Sequence, residues 1–272
     1  MNIRLIAMDL DGTSLQRDHC SFSPRLLETL AEVHQKGVRI VPVTGRQFGL
    51  LPPVLQQPLP WLDYAVLCNG GQIRSIRDNR LLHNLEMDGQ ALAQLLDLAD
   101  KYHLAIEFSK DSVLYLTQTS HDLQLPWPNL TFHRDAILAH YSRILPSLRP
   151  LCGPGVEKVN LICIQPEVAE QVEQELKSIG VSAVWASGSS MEITHPDATK
   201  GNGLAQLCRL LGISTAEVMA IGDSGNDIPM LKLAGLGVAM GNAPDFVKAA
   251  ADLCALPYDE DGAAYAIEQH IL

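Results

Sequence analysis

The sequence predicts an α/β protein built on a doubly wound, largely parallel sheet, with a second α/β module inserted into it. Short apolar runs alternate with amphipathic segments in both terminal parts of the chain, which is typical of strand–helix–strand units. Between residues 84 and 190 the pattern changes, because polar turns and prolines interrupt it. We therefore expect a core domain formed by residues 1–83 and 191–272, and an inserted domain over residues 84–190.

The first part of the core opens with a short apolar strand over residues 3–8, and a helix follows it. The pair Ser23-Pro24 predicts where this helix begins, since serine is a favoured N-cap and proline suits the first helical position. Gly37 predicts where it ends. The apolar runs at 38–43 and 65–68 are the next two predicted strands, and their short links favour parallel pairing.

The remaining elements follow from apolar periodicity in the same way. In the insertion we predict helices over residues 88–101, 134–147 and 166–178, and strands over 104–108, 113–117, 157–164 and 181–185. After residue 194 the core pattern resumes, with helices over 200–211 and 227–234 and strands over 218–221 and 236–239.

Composition argues against several classes of function. The 272-residue chain is 47% apolar, enough for one large core or two smaller ones. It carries 20 Lys and Arg against 31 Asp and Glu, a net charge of −11, so its surface repels a phosphate backbone and we expect no nucleic-acid partner. No apolar stretch approaches the roughly 20 residues that span a bilayer, so no membrane partner is expected.

The cysteines and the first residues bear on location. The six cysteines form no Cys-x-x-Cys pair, which argues against a zinc site and against a disulfide framework. The chain opens directly on a strand, so we expect no signal peptide. We expect a cytoplasmic protein, either a monomer or a small homo-oligomer.

Two carboxylates directly follow the first strand. Asp9 and Asp11 are two residues apart, so their side chains leave the end of the strand on the same side. They repel each other unless a cation lies between them or one of them keeps its proton. A calcium-binding EF-hand loop is excluded, because Ser14 and Cys20 stand where that loop requires Gly and Glu.

Three further predicted strands also end in polar or glycine-rich sequence, namely Thr44-Gly45, Asn69-Gly70 and Gly222-Asp223. Each of these pairs alone is an ordinary turn. In a parallel sheet, however, the carboxyl ends of the strands converge on one crevice, where ligands bind. Four polar strand ends therefore predict a binding site.

The residue types suggest roles in phosphoryl transfer. The Asp9 carboxylate can attack phosphorus and form an aspartyl-phosphate. Asp11 can protonate the departing alcohol and then deprotonate water, provided that its pKa is raised. Thr44 and Lys200 can bind phosphoryl oxygens, and Asp223 adds a third carboxylate for an octahedral Mg²⁺ site.

The same residues resemble a known family. Four segments match the four ordered motifs of haloacid dehalogenase-like phosphatases: Asp9-Leu-Asp-Gly-Thr13, Thr44-Gly-Arg46, Lys200-Gly201 and Gly222-Asp-Ser-Gly-Asn-Asp227. The segment over residues 230–242 is similar to the Cof-type subfamily. The resemblance implies a Rossmann-like core with a large α/β cap inserted between the second and third motifs.

The resemblance also implies a set of site residues. Asp9 is the expected nucleophile and Asp11 the acid/base, and Mg²⁺ is held by Asp9, the backbone carbonyl of Asp11, and Asp223. The expected phosphate contacts are the Leu10 backbone, Thr44, Gly45, Lys200 and Asn226, with Asn69 near the substrate. We expect Asp227 to play a supporting or structural part. Ser14 departs from the family pattern, which usually has leucine there, and we expect this to affect packing or cap contact.

We therefore expect a Mg²⁺-dependent phosphatase that acts on small phosphorylated metabolites, such as sugar phosphates or phosphorylated cofactors. A phosphomutase is the alternative, because it shares the aspartyl-phosphate and differs only in the acceptor. A requirement for a bisphosphate activator would distinguish it. A catalytically silent metabolite-binding protein would be favoured by loss of Asp9, Asp11, Lys200 or Asp223, and all four are present.

Overall fold

The computed structural model describes residues 2–57, 59–127, 130, 138 and 142–272. The chain divides into two compact units. The first comprises the chain up to Arg46, Leu51–His83 and Thr199–Leu272, and the second comprises Gln47–Leu50 and Asn84–Ala198. The second unit is thus an insertion that divides the sequence of the first, as the sequence predicted.

A parallel sheet organises the first unit. Among the described residues its strands are β1 (Leu5–Met8), β2 (Arg39–Pro42), β12 (Val218–Gly222), β13 (Leu236–Ala239) and β14 (Leu253–Cys254), in the order β14-β13-β12-β1-β2. Leu5 of the central strand β1 lies opposite Arg39 on one side and Val218 on the other, and every pairing is parallel. This confirms the predicted α/β fold.

A smaller antiparallel sheet continues from β2. It contains β3 (Tyr64–Leu67), β4 (Gln72–Ser75) and β5 (Arg80–Asn84). Isolated parallel bridges join Ile40 to Leu62 and Val43 to Val66, so β3 extends the parallel arrangement of the core. The sequence pattern did not predict β4 and β5, which are short strands.

The helices of the first unit cover this sheet. They are α1 (Pro24–Gln35), α5 (Lys200–Leu211), α6 (Ile228–Leu233), α7 (Asp245–Lys248) and α8 (Gly262–His270). The predicted cap of α1 is present, since the Ser23 side chain accepts a hydrogen bond from the Leu26 N–H. Apolar side chains of β1, β12 and the helices α5 and α6 form one buried cluster. That cluster fixes the strand ends that carry the site.

The second unit has its own sheet and core. In its described residues the strand order is β10-β11-β9-β6-β7-β8, with β6 (Ala105–Lys110), β7 (Val113–Thr117), β8 (Ser142–Leu145), β9 (Val156–Ile162), β10 (Ser182–Ser187) and β11 (Ser190–Thr194). Neighbouring strands are antiparallel except β7 and β8. Helices α2 (Gly89–Tyr102) and α4 (Pro166–Ile179) bury their apolar faces in its core, and α3 (Gln118–Gln124) follows β7.

Two segments differ from the sequence prediction. The predicted helix over 134–147 was wrong over residues 142–147, because Ser142–Leu145 is strand β8 and pairs in parallel with β7. Residues 134–137 and 139–141 lie outside the described residues. The insertion was predicted to end at residue 190, and β11 pairs with β9 and β10 as far as Thr194.

The described part of the chain contains no helix both long enough and apolar enough to cross a lipid bilayer.

Candidate active site

Asp9 leaves the carboxyl end of β1 and is almost completely buried. Its N–H donates to the Ile221 carbonyl at 2.9 Å, which continues the pairing of β1 with β12. Its own carbonyl accepts a hydrogen bond from the Ser14 hydroxyl at 2.6 Å. The Ser14 side chain therefore fixes the backbone of Asp9, which a leucine side chain, without a hydroxyl, could not do.

The turn after Asp9 is tightly closed. The Leu10 carbonyl accepts from the N–H groups of Thr13, Ser14 and Leu15 at 3.3, 3.0 and 2.9 Å. Gly12 has a left-handed φ of +78°, and a Cβ built there would lie 2.5 Å from Oδ2 of Asp223. Only glycine lets the turn approach Asp223 this closely.

Three carboxylates converge at this point. Asp9, Asp223 and Asp227 each offer an oxygen, and these oxygens all lie within 4.8 Å of one another, so the group can hold a metal ion. Burial raises the pKa of Asp9 well above its ordinary value although Lys200 opposes the shift, and the charges of Asp227 and Asp223 act with burial. Burial and the charge of Asp227 likewise raise the pKa of Asp223 to about 6. Such crowding of negative charge favours a bound cation.

Lys200 is the cation that the structure places among these carboxylates. Its Nζ donates to Oδ1 of Asp9 and to Oδ1 of Asp227, at 2.6 Å in each case. Burial alone would lower the pKa of Lys200, but the charges of Asp227 and Asp9 raise it above its ordinary value. Lys200 therefore stays charged, and it begins helix α5 immediately after the Thr199 cap.

Asp227 is fully buried and organises the loop after β12. Its Oδ2 accepts from the N–H groups of Asp223 and Ser224, each at 2.9 Å, and its Oδ1 accepts from Lys200. One carboxylate thus joins the loop that carries Asp223 to the lysine that contacts Asp9. The hydroxyl of Thr13 donates to Oδ1 of Asp223 at 3.0 Å and completes the link back to the first turn.

Asp11 has separate partners. Arg46 donates to Oδ2 through Nε at 2.8 Å and to Oδ1 through Nη2 at 2.6 Å, and Nδ1 of His19 lies 2.8 Å from Oδ1. Burial alone would raise the pKa of Asp11, but the hydrogen bonds and charges of Arg46 and His19 together lower it. The expectation of a raised pKa, on which the acid role depends, is therefore not met. With these partners the carboxyl group of Asp11 is ionised.

The polar strand ends after β2 and β3 are also brought together. Thr44 is buried; its hydroxyl accepts from the Arg46 N–H at 3.1 Å, its carbonyl accepts from the Asn69 N–H at 3.1 Å, and Gly45 follows it, partly buried. Asn69 is buried with φ +54°. Its Oδ1 accepts from Nδ2 of Asn226 at 3.0 Å, so these two amides meet although 157 positions separate them in sequence.

Arg46, His19 and Asn242 have contacts in this site that the sequence motifs did not predict. Arg46 was named only as part of a motif and His19 was not singled out, yet both contact Asp11. Asn242 donates from Nδ2 to the Gly12 carbonyl at 2.9 Å. The position of Arg46 directly after Thr44-Gly45 was a usable signal for it, whereas nothing in the sequence pattern indicates His19.

Comparison with known proteins agrees with this geometry. The family model of haloacid dehalogenase-like hydrolases matches residues 6–267. The Bacillus subtilis protein YxeH is 30% identical over 278 residues, which are 99% of this chain and 98% of YxeH. The pyridoxal phosphate phosphatase YbhA of Escherichia coli is 29% identical over 281 residues, covering 100% of each chain.

Solved structures share the fold. A haloacid dehalogenase-like hydrolase from B. subtilis has a TM-score of 0.84 at 27% identity, over 99% of this chain and 100% of that one. A sugar phosphatase of subclass IIB of the superfamily has a TM-score of 0.81 at 25% identity, over 98% of each chain.

The chain therefore belongs to the haloacid dehalogenase-like hydrolases. Within them it is a phosphatase of the Cof-type subclass with an inserted cap, as the sequence motifs indicated.

Proposed function

We propose that this phosphatase hydrolyses small phosphorylated metabolites in a Mg²⁺-dependent reaction that passes through an aspartyl-phosphate on Asp9. The observation that carries the proposal is the buried Asp9 carboxylate, bonded to Lys200 at 2.6 Å and grouped with two further carboxylates. A buried carboxylate beside a fixed ammonium is oriented for attack, and the ammonium can also bind a phosphoryl oxygen.

The donor set fits Mg²⁺. Three carboxylates lie together, and burial with mutual repulsion raises the pKa of Asp9 and of Asp223, so a divalent cation would relieve the excess negative charge. Hard oxygen ligands are those that Mg²⁺ prefers. We assign the ion to Asp9, the backbone carbonyl of Asp11, and Asp223, with Asp227 holding Lys200 and the Asp223 loop. When bound, it would neutralise charge on the phosphoryl oxygens.

The chain's own groups then have distinct tasks. Asp9 attacks phosphorus while Lys200, Thr44 and the Leu10 and Gly45 backbone bind the phosphoryl oxygens. Asn226, held by Asn69, completes this set.

Asp11 protonates the leaving alcohol and then takes a proton from the attacking water. A phosphate dianion beside Asp11 raises its pKa and so counteracts the effect of Arg46.

The names of two relatives support the proposed substrate class. One acts on pyridoxal phosphate and another is a sugar phosphatase, so we propose sugar phosphates or phosphorylated cofactors as substrates. We assign the choice of leaving group to the cap, residues 84–190, and catalysis to the core, residues 1–83 and 191–272. We further propose that the enzyme works in the cytoplasm as a monomer or small homo-oligomer.

Phosphate release from a panel of sugar phosphates, nucleotides and pyridoxal phosphate, measured with Mg²⁺ and with EDTA, tests the proposal. We expect metal-dependent release that is strongest for one substrate class. The variant Asp9→Asn should be inactive while its melting temperature stays at or above that of the wild type, because it removes one of three crowded charges.

Substantial turnover by Asp9→Asn would overturn the nucleophile assignment. Release that appears only with a bisphosphate activator, together with isomerised product, would point to a mutase. No release from any compound by the metal-loaded enzyme would favour a silent binding protein.

A further inference from the structure

The carboxylate of Asp11 is held by three hydrogen bonds from two residues. Arg46 contacts both oxygens, through Nε to Oδ2 at 2.8 Å and Nη2 to Oδ1 at 2.6 Å. Nδ1 of His19 lies 2.8 Å from Oδ1. A carboxylate only accepts, so Nδ1 of His19 carries the proton in this contact.

These hydrogen bonds leave one acceptor position of the Asp11 carboxylate unoccupied by the described residues. An ionised carboxylate offers about four acceptor positions, two on each oxygen. Two donors occupy Oδ1 of Asp11, whereas among the described residues Oδ2 accepts only from Nε of Arg46. The remaining acceptor position of Oδ2 is where a proton can be taken up or given away. The arrangement of Arg46 and His19 thus selects the oxygen that transfers the proton.

A rigid turn presents His19 to Asp11. Oδ1 of Asp18 accepts from the N–H groups of Cys20 and Ser21 at 2.9 and 3.0 Å, and Oδ2 accepts from the Ser21 hydroxyl at 2.6 Å. His19 donates its N–H to the Gln16 carbonyl at 3.0 Å and adopts a left-handed φ of +55°. Non-glycine residues seldom adopt that conformation, and histidine is among those that do so more often.

The same turn also reaches Arg46. The carbonyl of His19 accepts from Nη2 of Arg46 at 3.1 Å, so His19 contacts the carboxylate with its side chain and the guanidinium with its backbone. Both members of the contact are about half exposed, the His19 side chain at 48% and the Asp11 side chain at 40%. The contact is therefore made at the open edge of the site, where a leaving group can approach.

We propose that His19 is a positioning residue that, with Arg46, fixes the Asp11 carboxylate and directs its Oδ2 toward the proton-transfer step. This rests on the proposed function, in which Asp11 is the acid/base. His19 itself does not touch the reacting atoms. Its effect is transmitted through the orientation of Asp11.

The leaving group provides the discriminating test. A sugar or other alkyl alkoxide leaves slowly unless it is protonated as the bond to phosphorus breaks, and general acid catalysis of such a step is worth about 10²–10⁴-fold. A 4-nitrophenolate is stable as an anion and leaves without that help. A residue that acts through Asp11 must therefore affect alkyl phosphates far more than 4-nitrophenyl phosphate. The ratio kcat/KM is the quantity to compare, because it reports the steps up to departure of the leaving group.

Two variants at position 19 distinguish the loss of the hydrogen bond to Asp11 from a change in the backbone of the turn. His19→Ala removes the donor and places a residue with little tolerance for a left-handed φ in the turn. His19→Asn keeps a donor near the position of Nδ1 and belongs to the residue types that accept this conformation. We expect His19→Ala to lower kcat/KM for alkyl phosphates about tenfold or more, which is a fraction of the full contribution of general acid catalysis. For 4-nitrophenyl phosphate we expect less than about a twofold change, and His19→Asn should restore most of the loss.

A double-mutant cycle completes the experiment. Asp11→Asn should show the same dependence on the leaving group, and adding His19→Ala to it should cause no further loss, since the two residues act as one unit. Equal losses on both kinds of substrate, failure of His19→Asn to restore activity while His19→Ala folds normally, or additive losses in the double variant would overturn the proposal. Wild-type enzyme that releases no phosphate from either substrate would instead contradict the proposed function.

Discussion

The Lys200 ammonium donates to the Asp9 carboxylate across 2.6 Å, and both side chains are almost completely buried. A second hydrogen bond of the same length joins the Lys200 ammonium to the Asp227 carboxylate. One positive charge is therefore shared by two carboxylates inside the core, where water screens them little. The Asp9 carboxylate and the interior packing of the first unit depend on the same ion pair.

Replacing Lys200 should damage both activity and stability. In Lys200→Met we expect kcat to fall by about 10²-fold or more, since a fixed positive group on the phosphoryl oxygens is lost. Removing one member of a buried pair also leaves uncompensated charge, with a typical loss of about 3–5 kcal/mol in the free energy of unfolding. Steady-state kinetics and thermal unfolding measure the two effects. Lys232→Met, at an exposed position on α6, is the control and should change neither. Activity within tenfold of the wild type would contradict the assigned role.

Gly12→Ala should weaken metal binding. The new Cβ would lie 2.5 Å from Oδ2 of Asp223, and the φ of +78° is itself unfavourable for alanine. Gly37 is a matched control, because it has a φ of +83° and no atom within 4 Å of a built Cβ. We expect a loss of about 10–100-fold in Mg²⁺ affinity for Gly12→Ala, as for other changes that displace a metal ligand. Calorimetric titration with Mg²⁺ alone measures it. A similar loss in Gly37→Ala would show that backbone strain, not the contact with Asp223, is responsible.

Asp223→Asn should change how stability depends on pH in EDTA. The pKa of Asp223 is raised to about 6 in the folded protein, above its unfolded value, so the folded state binds the proton more tightly. The charged form therefore destabilises the fold, and stability from this group falls as pH rises from about 4 to about 6. We expect Asp223→Asn to melt above the wild type at pH 7 and close to it at pH 4.

Mg²⁺ provides the check on that pH effect. The metal should raise the melting temperature of the wild type at pH 7 and have little effect on Asp223→Asn, which lacks the charged ligand. A difference between the two proteins that is independent of pH in EDTA would contradict the raised pKa.

Asn69→Gly should keep the left-handed turn and remove its hydrogen bond with Asn226. Asn69 has φ +54°, which glycine adopts without strain, so the fold should be retained. The acceptor for Asn226 is lost, however, and we expect kcat/KM to fall about tenfold, corresponding to one hydrogen bond in the site. Asn79→Gly replaces another left-handed asparagine, in a turn after β4, and should leave kinetics unchanged. Unaltered kcat/KM in Asn69→Gly would show that the Asn69 side chain has no part in the reaction.

Much of the fold was predictable because its signals are local. The strands Val113–Thr117 and Leu236–Ala239 and the helix Lys200–Leu211 have the bounds that apolar periodicity predicted. The Ser23 cap was also readable, because capping depends only on neighbouring residues. Strand β8 was not, since a four-residue edge strand gains its identity from pairing with β7, which lies more than twenty residues earlier in the chain.

The site divides in the same way. The strand-end residues that carry the motifs were identifiable from their types and spacing. The upward shift in the pKa of Asp9 was not, because it arises from burial and from charges at Asp223 and Asp227 that only the folded sheet brings near. The downward shift at Asp11 has the same kind of origin, in Arg46 and in a turn whose sequence shows no motif. The ionisation of these carboxyl groups therefore depends on contacts that form only in the folded protein.

The pairing of β1 with β12 places Leu5 beside Val218, so the central strand of the sheet receives one neighbour from near the start of the chain and the other from near its end. During synthesis on a ribosome, β1 emerges long before β12 exists, and all of Asn84–Ala198 is translated in between. The inserted unit can fold while β1 still lacks that partner, since domains generally fold as units in the order they are made. Any nascent or prematurely terminated chain that stops before Asp223 has the proposed nucleophile, Asp9, but neither Asp223 nor Asp227 beside it. We therefore expect such a chain to be inactive as a phosphatase, because Asp9 lacks the carboxylates with which it would hold a metal ion.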